Sequence, residues 1–260
     1  MPTIISIFLQ VKNLEGYDFS SLRYITSTGQ ALPASHLLRL NKLLPQAKIY
    51  SMYGLTECKR VLYLPPEQIP LRPTSVGKAM PNIEVYLVNE DGTKVSCPGA
   101  TGELIVRGSN VMQGYWNRPE ETAKVFKRGD HGEQHLRTRD LFTTDKEGYF
   151  YFVARTDDLI KTGGEQVSPK EVEDILCELA GVNQVAVFGV DHEFLGQAIT
   201  AALVLASGST LTEADILAYC SVHLEKHMIP KHIKIMSELP KTLTGKINRQ
   251  QLVSAHQYLG

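Results

Sequence analysis

Tyr53-Gly54-Leu55-Thr56-Glu57 is the densest stretch of chemically useful residues in this 260-residue chain. It follows the apolar run AKIYSM, which reads as a strand, so the five residues fall at a strand's carboxyl end, where open α/β sheets place their ligands. Tyr53 offers an aromatic face to a base, and Gly54 allows close backbone approach. Thr56 offers a hydroxyl to a phosphate, and Glu57 offers a hard oxygen ligand to Mg²⁺. An ordinary strand-end turn with a solvated glutamate has the same sequence, so the motif by itself leaves both readings open. Lys246 stands in a polar, Gly-containing loop, LPKTLTGKINR, where a solvated lysine is the plain alternative. His223 and His227 have helical i, i+4 spacing, but Glu225 occupies the wrong position for an HExxH metal motif, so no metal site is read there.

The elements that must position these residues change character along the chain. LRYITS reads as a buried strand, ASHLLRLNKLL as a helix with apolar residues at Leu37, Leu38, Leu40, Leu43 and Leu44, and AKIYSMYG as the next strand. That is the strand–helix–strand grammar of a parallel sheet. From about Pro73 to Phe152, the short runs IEVYLV, GELIVRG and GYFYFV are split by the turn pairs Asp91-Gly92, Pro98-Gly99 and Glu147-Gly148. These predict a small antiparallel β subdomain, barrel-like in outline. After Arg155, Ser168-Pro169-Lys170-Glu171 reads as a capping box with proline at the first helical position. Thr212 is read as the cap of a second helix whose inner face includes Ile216, Leu217, Cys220 and Leu224. QVAVFGV, AITAALVLA and HIKIM read as strands, giving a separate α+β domain.

Composition sets the outer limits. Hydrophobic residues make up 43% and charged residues 21%, which argues for packed cores and against disorder. A net charge of -1, with no basic run, excludes a field that would favour nucleic acid or an anionic membrane. The four cysteines, Cys58, Cys97, Cys177 and Cys220, form no CxxC pair, so a zinc site or disulfide framework is not expected and a reduced, cytoplasmic compartment is. The run beginning at Ile4 is too short to span a bilayer and carries no basic leader. It reads as a buried strand or helix in mid-domain, leaving Ile4, Ile5, Ile7 and Phe8 short of neighbours.

Further motifs accompany the first. Ser27-Thr28-Gly29-Gln30-Ala31 precedes it, and Gly102-Glu103-Leu104 and Gly114-Tyr115-Trp116-Asn117-Arg118-Pro119-Glu120-Glu121-Thr122 follow. Then come Thr138-Arg139-Asp140, Arg155-Thr156-Asp157-Asp158, Lys161-Thr162-Gly163-Gly164-Glu165 and Thr244-Gly245-Lys246-Ile247-Asn248-Arg249. In this order, over essentially the whole chain, they resemble the adenylate-forming superfamily of acyl-CoA synthetases, luciferases and peptide-synthetase adenylation domains. The resemblance implies an α/β remnant of the large adenylation domain over 1–154, made of a parallel-sheet piece and the β-rich subdomain. A small, mobile α+β carboxy-terminal domain over 155–260 follows it. It also implies an AMP-forming ligase that uses ATP, Mg²⁺ and a carboxylic acid, with CoA or a carrier-protein phosphopantetheine as thiol acceptor.

Residue roles follow from the resemblance alone. Gly29, Gln30 and Ala31 would lie beside adenine and the acid. Tyr53 would stack on adenine, Gly54 would belong to the same nucleotide-binding segment, Thr56 would touch the α-phosphate and Glu57 would ligate Mg²⁺. Asp140 would hold the ribose hydroxyls and Arg155 would make a further ribose or phosphate contact. Asp157 would be the hinge, Gly163 and Gly164 would line the pantetheine channel, and Lys246 would bridge acid carboxylate and α-phosphate. A cation between two anions that must join lowers the barrier. Arg139 stands where relatives carry glycine, Ala154 likewise, and Ser51 where many carry Asn or Gln. The family's Ser/Thr/Gly-rich phosphate loop is not among the 260 residues. The expectation is therefore weak or absent adenylation by this chain alone, and a segment or partner chain that supplies the loop. A non-catalytic nucleotide- or carrier-binding module and a regulatory scaffold are the alternatives.

Overall fold

The computed structural model describes residues 2–9, 11, 13–29, 32–129, 132–242 and 245–257, and the chain divides into two compact units, Met1–Val153 and Ala154–Gly260. The first unit opens with helix α1 (Pro2–Phe8), strand β1 (Tyr24–Ser27) and helix α2 (Ala34–Leu43). Strands β2 (Lys48–Leu55), β3 (Lys59–Leu64) and β4 (Lys78–Ala79) complete a sheet in the order β1-β2-β3-β4. β1 and β2 pair in parallel, with Ser27 opposite Ser51. The strand–helix–strand reading holds for this pair and stops there, because the turn at 56–58 folds β3 back antiparallel on β2. In α2 the buried residues are Leu37 and Leu40, with Leu44 just beyond. This i, i+3, i+7 stripe leaves Leu38 outside, exposed to solvent. The amino-terminal run is a helix that buries Ile5 and exposes Ile4 and Ile7. Phe8 is packed edge-on against Phe19 at 5.5 Å between ring centroids, so of the four residues expected to be short of neighbours Ile5 and Phe8 are packed, and Ile4 and Ile7 are exposed.

The β-rich stretch is an antiparallel sheet of β5 (Ile83–Val88), β6 (Gly102–Gly108), β7 (Phe126–Arg128), β8 (Gln134–Thr144) and β9 (Phe150–Arg155), with helix α3 (Pro119–Val125) leading into β7. Its order is β5-β6-β8-β7, with β9 also paired to β8, an open path where the turn spacing suggests a barrel. Leu87, Leu104, Val106, Leu136 and Phe142 form its core together with Val61 and Leu62 of β3. A polar clamp holds β9's turn. The Asp145 carboxylate accepts from Arg72 Nε at 3.3 Å and from the Tyr151 hydroxyl at 2.9 Å, and the Arg72 guanidinium lies 4.3 Å from the Tyr149 ring centroid.

The second unit contains β10 (Ile160–Thr162), β11 (Glu165–Val167), α4 (Pro169–Glu178), β12 (Val182–His192), β13 (Gly196–Leu205), α5 (Glu213–His223), β14 (His232–Ile235) and α6 (Arg249–Gln257). Its sheet runs β11-β10-β13-β12, with β14 parallel to β13. Alternation along β12 sorts the two faces. Val185 and Val187 join Val172, Leu176, Ile216 and Cys220 on the side of α4 and α5. Ala186, Phe188 and Val190 pack with Leu239 and Leu252 on the side of α6.

The two helix starts do not behave alike. Ser168 is the N-cap of α4 and Pro169 its first residue, but the Ser168 side chain makes no capping bond, so the capping box read from that tetrapeptide does not form. The complete box is at α5, where Thr212 accepts from the Asp215 N–H and the Asp215 carboxylate accepts from the Thr212 N–H. The four cysteines are free thiols, and no helix among the described residues is long and apolar enough to cross a membrane. Thr212→Ala should destabilise the second unit by about 1 kcal/mol, the usual worth of an N-cap. A urea titration following α5 would show it as a lower midpoint, and an unchanged midpoint would mean the box contributes nothing.

Candidate functional site

The motif that opens the sequence reading sits on a hairpin. β2 carries Tyr53, Gly54 and Leu55, and Thr56 and Glu57 lie in the turn before β3. The turn spans residues 56–58, and just before it β2 and β3 pair with a register shift between Tyr53 and Gly54. A Cβ on Gly54 would stand 2.2 Å from the Lys59 carbonyl oxygen, so the close approach that glycine allows here is to the backbone of β3. Gly29 follows β1 by two residues, and Tyr53 follows Ser51, the register partner of Ser27, by the same number. Gly29 and Tyr53 therefore stand at the carboxyl end of the one parallel pair of this sheet. Gln30 and Ala31 lie outside the described residues.

Asp140 reaches this hairpin from the other sheet. The Tyr53 hydroxyl donates to Asp140 Oδ2 at 2.6 Å across 87 residues of sequence, and the Tyr53 ring meets Phe142 edge-on at 4.9 Å between centroids. Asp140 is 3% exposed. Burial first, and the neighbouring carboxylate second, push the Tyr53 phenol well above the usual tyrosine range. Tyr53 therefore stays a neutral donor. Cys58, at the base of the same turn, is also buried, and desolvation raises its thiol to about 12, which keeps it protonated and unreactive.

Glu57 is fixed from another direction. Its Oε1 accepts the Tyr115 hydroxyl at 2.5 Å, and its carbonyl accepts the Met112 N–H at 2.8 Å. Tyr115 is itself held by its backbone N–H donating to Thr122 Oγ1 at 3.0 Å. The result is a half-buried carboxylate with a fixed orientation at the end of β2, the arrangement that suits a hard cation. Thr56 is exposed on the same turn.

In the second unit the named residues fall on separate loops. Arg155 ends β9 and is exposed, and its carbonyl accepts the Asp158 N–H at 3.1 Å, closing a turn that presents Asp157 to solvent. Gly163 and Gly164 form the tip of the β10–β11 hairpin with φ of 60° and 89°. That left-handed pair admits glycine at no steric cost, and the Gly163 N–H donates to the Leu195 carbonyl at 2.9 Å. Lys246 is exposed in a small loop. The Thr242 N–H donates to the Lys246 carbonyl at 2.7 Å, and Lys241 bridges to Ile247. The far end of that loop is anchored by Arg249. Its Nη2 donates to Glu173 Oε1 at 2.6 Å and its Nε to the Val187 carbonyl at 3.2 Å. Glu173 also accepts the Val187 N–H at 2.9 Å. Burial raises the Glu173 carboxyl, and Arg249 opposes that rise without cancelling it.

Sequence reasoning did not single out Tyr115, Glu103 or Arg249 as site-forming residues, although each lies inside a motif it quoted. Tyr115 and Glu57 are 58 residues apart, and no local periodicity announces a contact of that kind.

Comparison with known proteins bears on what this arrangement is. A model of AMP-binding enzymes matches residues 1–116, and a model of the AMP-binding enzyme C-terminal domain matches residues 171–246. A long-chain-fatty-acid–CoA ligase of Salmonella typhimurium is 35% identical over 252 residues, covering 96% of this chain and 43% of the relative. The ATP-bound structure of MatB from Rhodopseudomonas palustris superposes with a TM-score of 0.88 at 30% identity, over 98% of this chain and 50% of that one. An anthranilate CoA ligase in complex with anthranoyl-AMP gives a TM-score of 0.87 at 32% identity, over 98% and 48%. The chain thus spans about half the length of the curated relatives it matches.

The Tyr53–Asp140 bond carries an energetic prediction. Tyr53→Phe removes a donor from a buried carboxylate, which should lower the stability of the first unit by about 1–3 kcal/mol. In a double-mutant cycle with Asp140→Asn the two losses should fall short of additive. Strict additivity in equilibrium unfolding would show that the hydroxyl and the carboxylate do not act on each other.

Proposed function

The chain belongs to the AMP-binding enzyme family, and from that premise we propose that it is the carboxy-terminal half of an AMP-forming carboxylic acid–thiol ligase. In the first step a carboxylate oxygen attacks the α-phosphorus of ATP and pyrophosphate leaves, giving acyl-AMP. In the second a thiol sulfur attacks the acyl carbonyl carbon, AMP leaves, and the thiol proton passes to solvent or base. The observation that carries this reading is the convergence of the strand-end hairpin at Tyr53–Glu57 on the buried carboxylate of Asp140. A carboxylate with two acceptor oxygens suits a pair of vicinal hydroxyls, and an aromatic ring beside it suits a purine.

On this reading 1–154 belongs to the large nucleotide-binding domain and 155–260 is the small mobile domain. Gly29, Gln30, Ala31, Tyr53 and Gly54 form the nucleotide and acid side, and Asp140 and Arg155 take the ribose side. Thr56 contacts the α-phosphate. The donor set at Glu57 fits Mg²⁺, since the carboxylate is held in place by the Tyr115 hydroxyl and retains a second oxygen. Mg²⁺ bound there would supply charge neutralisation for the phosphates. Lys246 contributes the mobile cation between carboxylate and α-phosphate, Asp157 the pivot, and the Gly163–Gly164 tip the pantetheine path. CoA is preferred to a carrier protein as acceptor because the similar curated proteins are named CoA ligases. The free cysteines fit a reducing, cytoplasmic setting.

Two measurements test this. AMP should bind the chain in titration calorimetry, and absence of binding would remove the nucleotide assignment. With the amino-terminal half of a related ligase added, Lys246→Ala should slow acid-dependent pyrophosphate exchange by about 10²–10³, the usual loss for one transition-state charge contact. Thioester formation from preformed acyl-AMP should stay near the parent rate. Equal impairment of both steps would overturn the role given to Lys246.

A further inference from the structure

β6 and β8 do not pair evenly. Glu103 lies opposite Leu141 and Ile105 opposite Arg137, so Leu104 on β6 faces three residues of β8: Thr138, Arg139 and Asp140. Two extra residues in one strand make a special, larger bulge, which leaves ladder groups without their usual partners. Side chains take over here. Thr138 Oγ1 donates to the Leu104 carbonyl at 2.8 Å and accepts the Asp140 N–H at 3.1 Å. Glu103 Oε1 accepts the Arg139 N–H at 3.0 Å. The other carboxylate oxygen of Glu103 accepts both Arg137 Nε, at 3.0 Å, and Arg137 Nη2.

Arg139 holds the centre of the bulge at φ 57°. For an L-residue with a Cβ this left-handed conformation is unfavourable by about 1–2 kcal/mol, so something outside the residue must hold it. Glu103 is only 7% exposed, and a carboxylate buried that far has to be paired and hydrogen-bonded. It is satisfied by the Arg139 N–H and the Arg137 fork together. The next residue, Asp140, emerges from the bulge with its carboxylate on the Tyr53 hydroxyl.

We propose that Glu103 is the positioning residue for Asp140: its buried carboxylate clamps the left-handed backbone of Arg139 and thereby aims Asp140 at Tyr53 and at the ribose of a bound nucleotide. Glu103 touches no substrate in this account and acts only through the bulge. The proposal deepens the nucleotide-binding reading above and rests on it for its ligand, while the clamp itself rests on the β6–β8 geometry.

The test compares Glu103→Ala, Glu103→Gln and Glu103→Ala/Arg139→Gly in the full chain, with circular dichroism melts as the check on folding. Amide hydrogen exchange in the segment 137–141 reads the clamp, and calorimetric affinities for AMP and 2′,3′-dideoxy-AMP read the aim of Asp140. Glu103→Ala should speed exchange and weaken AMP by about tenfold or more, the scale of one hydrogen bond to a charged group. It should leave the dideoxy nucleotide, which lacks the hydroxyls Asp140 would hold, unchanged. Glu103→Gln keeps an acceptor for the Arg139 N–H but sets an amide NH₂ against the Arg137 guanidinium, so it should fall between the parent and Glu103→Ala in both readouts. Arg139→Gly adopts the bulge conformation without a clamp, so it should restore most of the loss in the double variant. Unchanged exchange in Glu103→Ala, equal loss for both nucleotides, or no rescue by glycine would each overturn the proposal. If the parent chain binds neither nucleotide, the ribose assignment falls, and exchange with its glycine rescue alone decides the clamp.

Discussion

A carboxylate enclosed in a β-sheet must be met by donors, and in the first unit that requirement falls on Asp140. Its partner, Tyr53, belongs to a different sheet, so this hydrogen bond links the mixed sheet of β1–β4 to the antiparallel sheet of β5–β9, alongside others such as the backbone bridge between Gly77 and Phe150. The T-shaped contact between Tyr53 and Phe142 and the shared core of Val61, Leu62, Leu104 and Phe142 run alongside it. Apolar packing brings the two sheets together, and the buried polar pair fixes where they meet, because an unmatched carboxylate at that depth is strongly unfavourable. The hairpin at residues 53–58 and the bulge at residues 138–140 carry the two partners of that bond.

Both carboxylates at this hairpin are fixed by tyrosine hydroxyls, Asp140 by Tyr53 and Glu57 by Tyr115. A phenol is a neutral donor with a rigid reach. It satisfies one oxygen of a carboxylate without neutralising its charge, unlike an arginine or lysine. Each carboxylate therefore keeps its charge while one of its oxygens is fixed in orientation. The second unit handles its buried charge differently. Glu173 is paired with the guanidinium of Arg249 and with the backbone of β12, and that ion pair anchors the segment carrying the exposed Lys246.

Arg139 shows why a departure from a motif is read best against backbone geometry. Its φ of 57° is one that glycine adopts freely, and here a side chain elsewhere in the sheet, Glu103, supplies what glycine would supply by itself.

The elements with a strong period were legible in the sequence. The helix at 34–43 and the strands at 24–27, 83–88, 102–108 and within β12 follow from apolar spacing, because burial is a local demand written along each segment. The Tyr53–Glu57 motif was legible for the same reason, since strand end and turn chemistry are local. The long strand β8, the open path of its sheet and the helix at 119–125 were not read, because QHLRTRDLFTT mixes charges into a strand whose outward face is paired with neighbouring strands' side chains. The absent cap at Ser168 and the complete one at Thr212 differ in side-chain orientation, which composition does not encode. The sequence by itself determined which residues are able to stack, accept or carry charge. Tertiary structure alone decided that Tyr53 meets Asp140, Tyr115 meets Glu57 and Glu103 meets Arg139. Each of those contacts joins residues 36 or more positions apart, and register between strands, which sets such pairings, is fixed by the packing of whole sheets and not by any one segment.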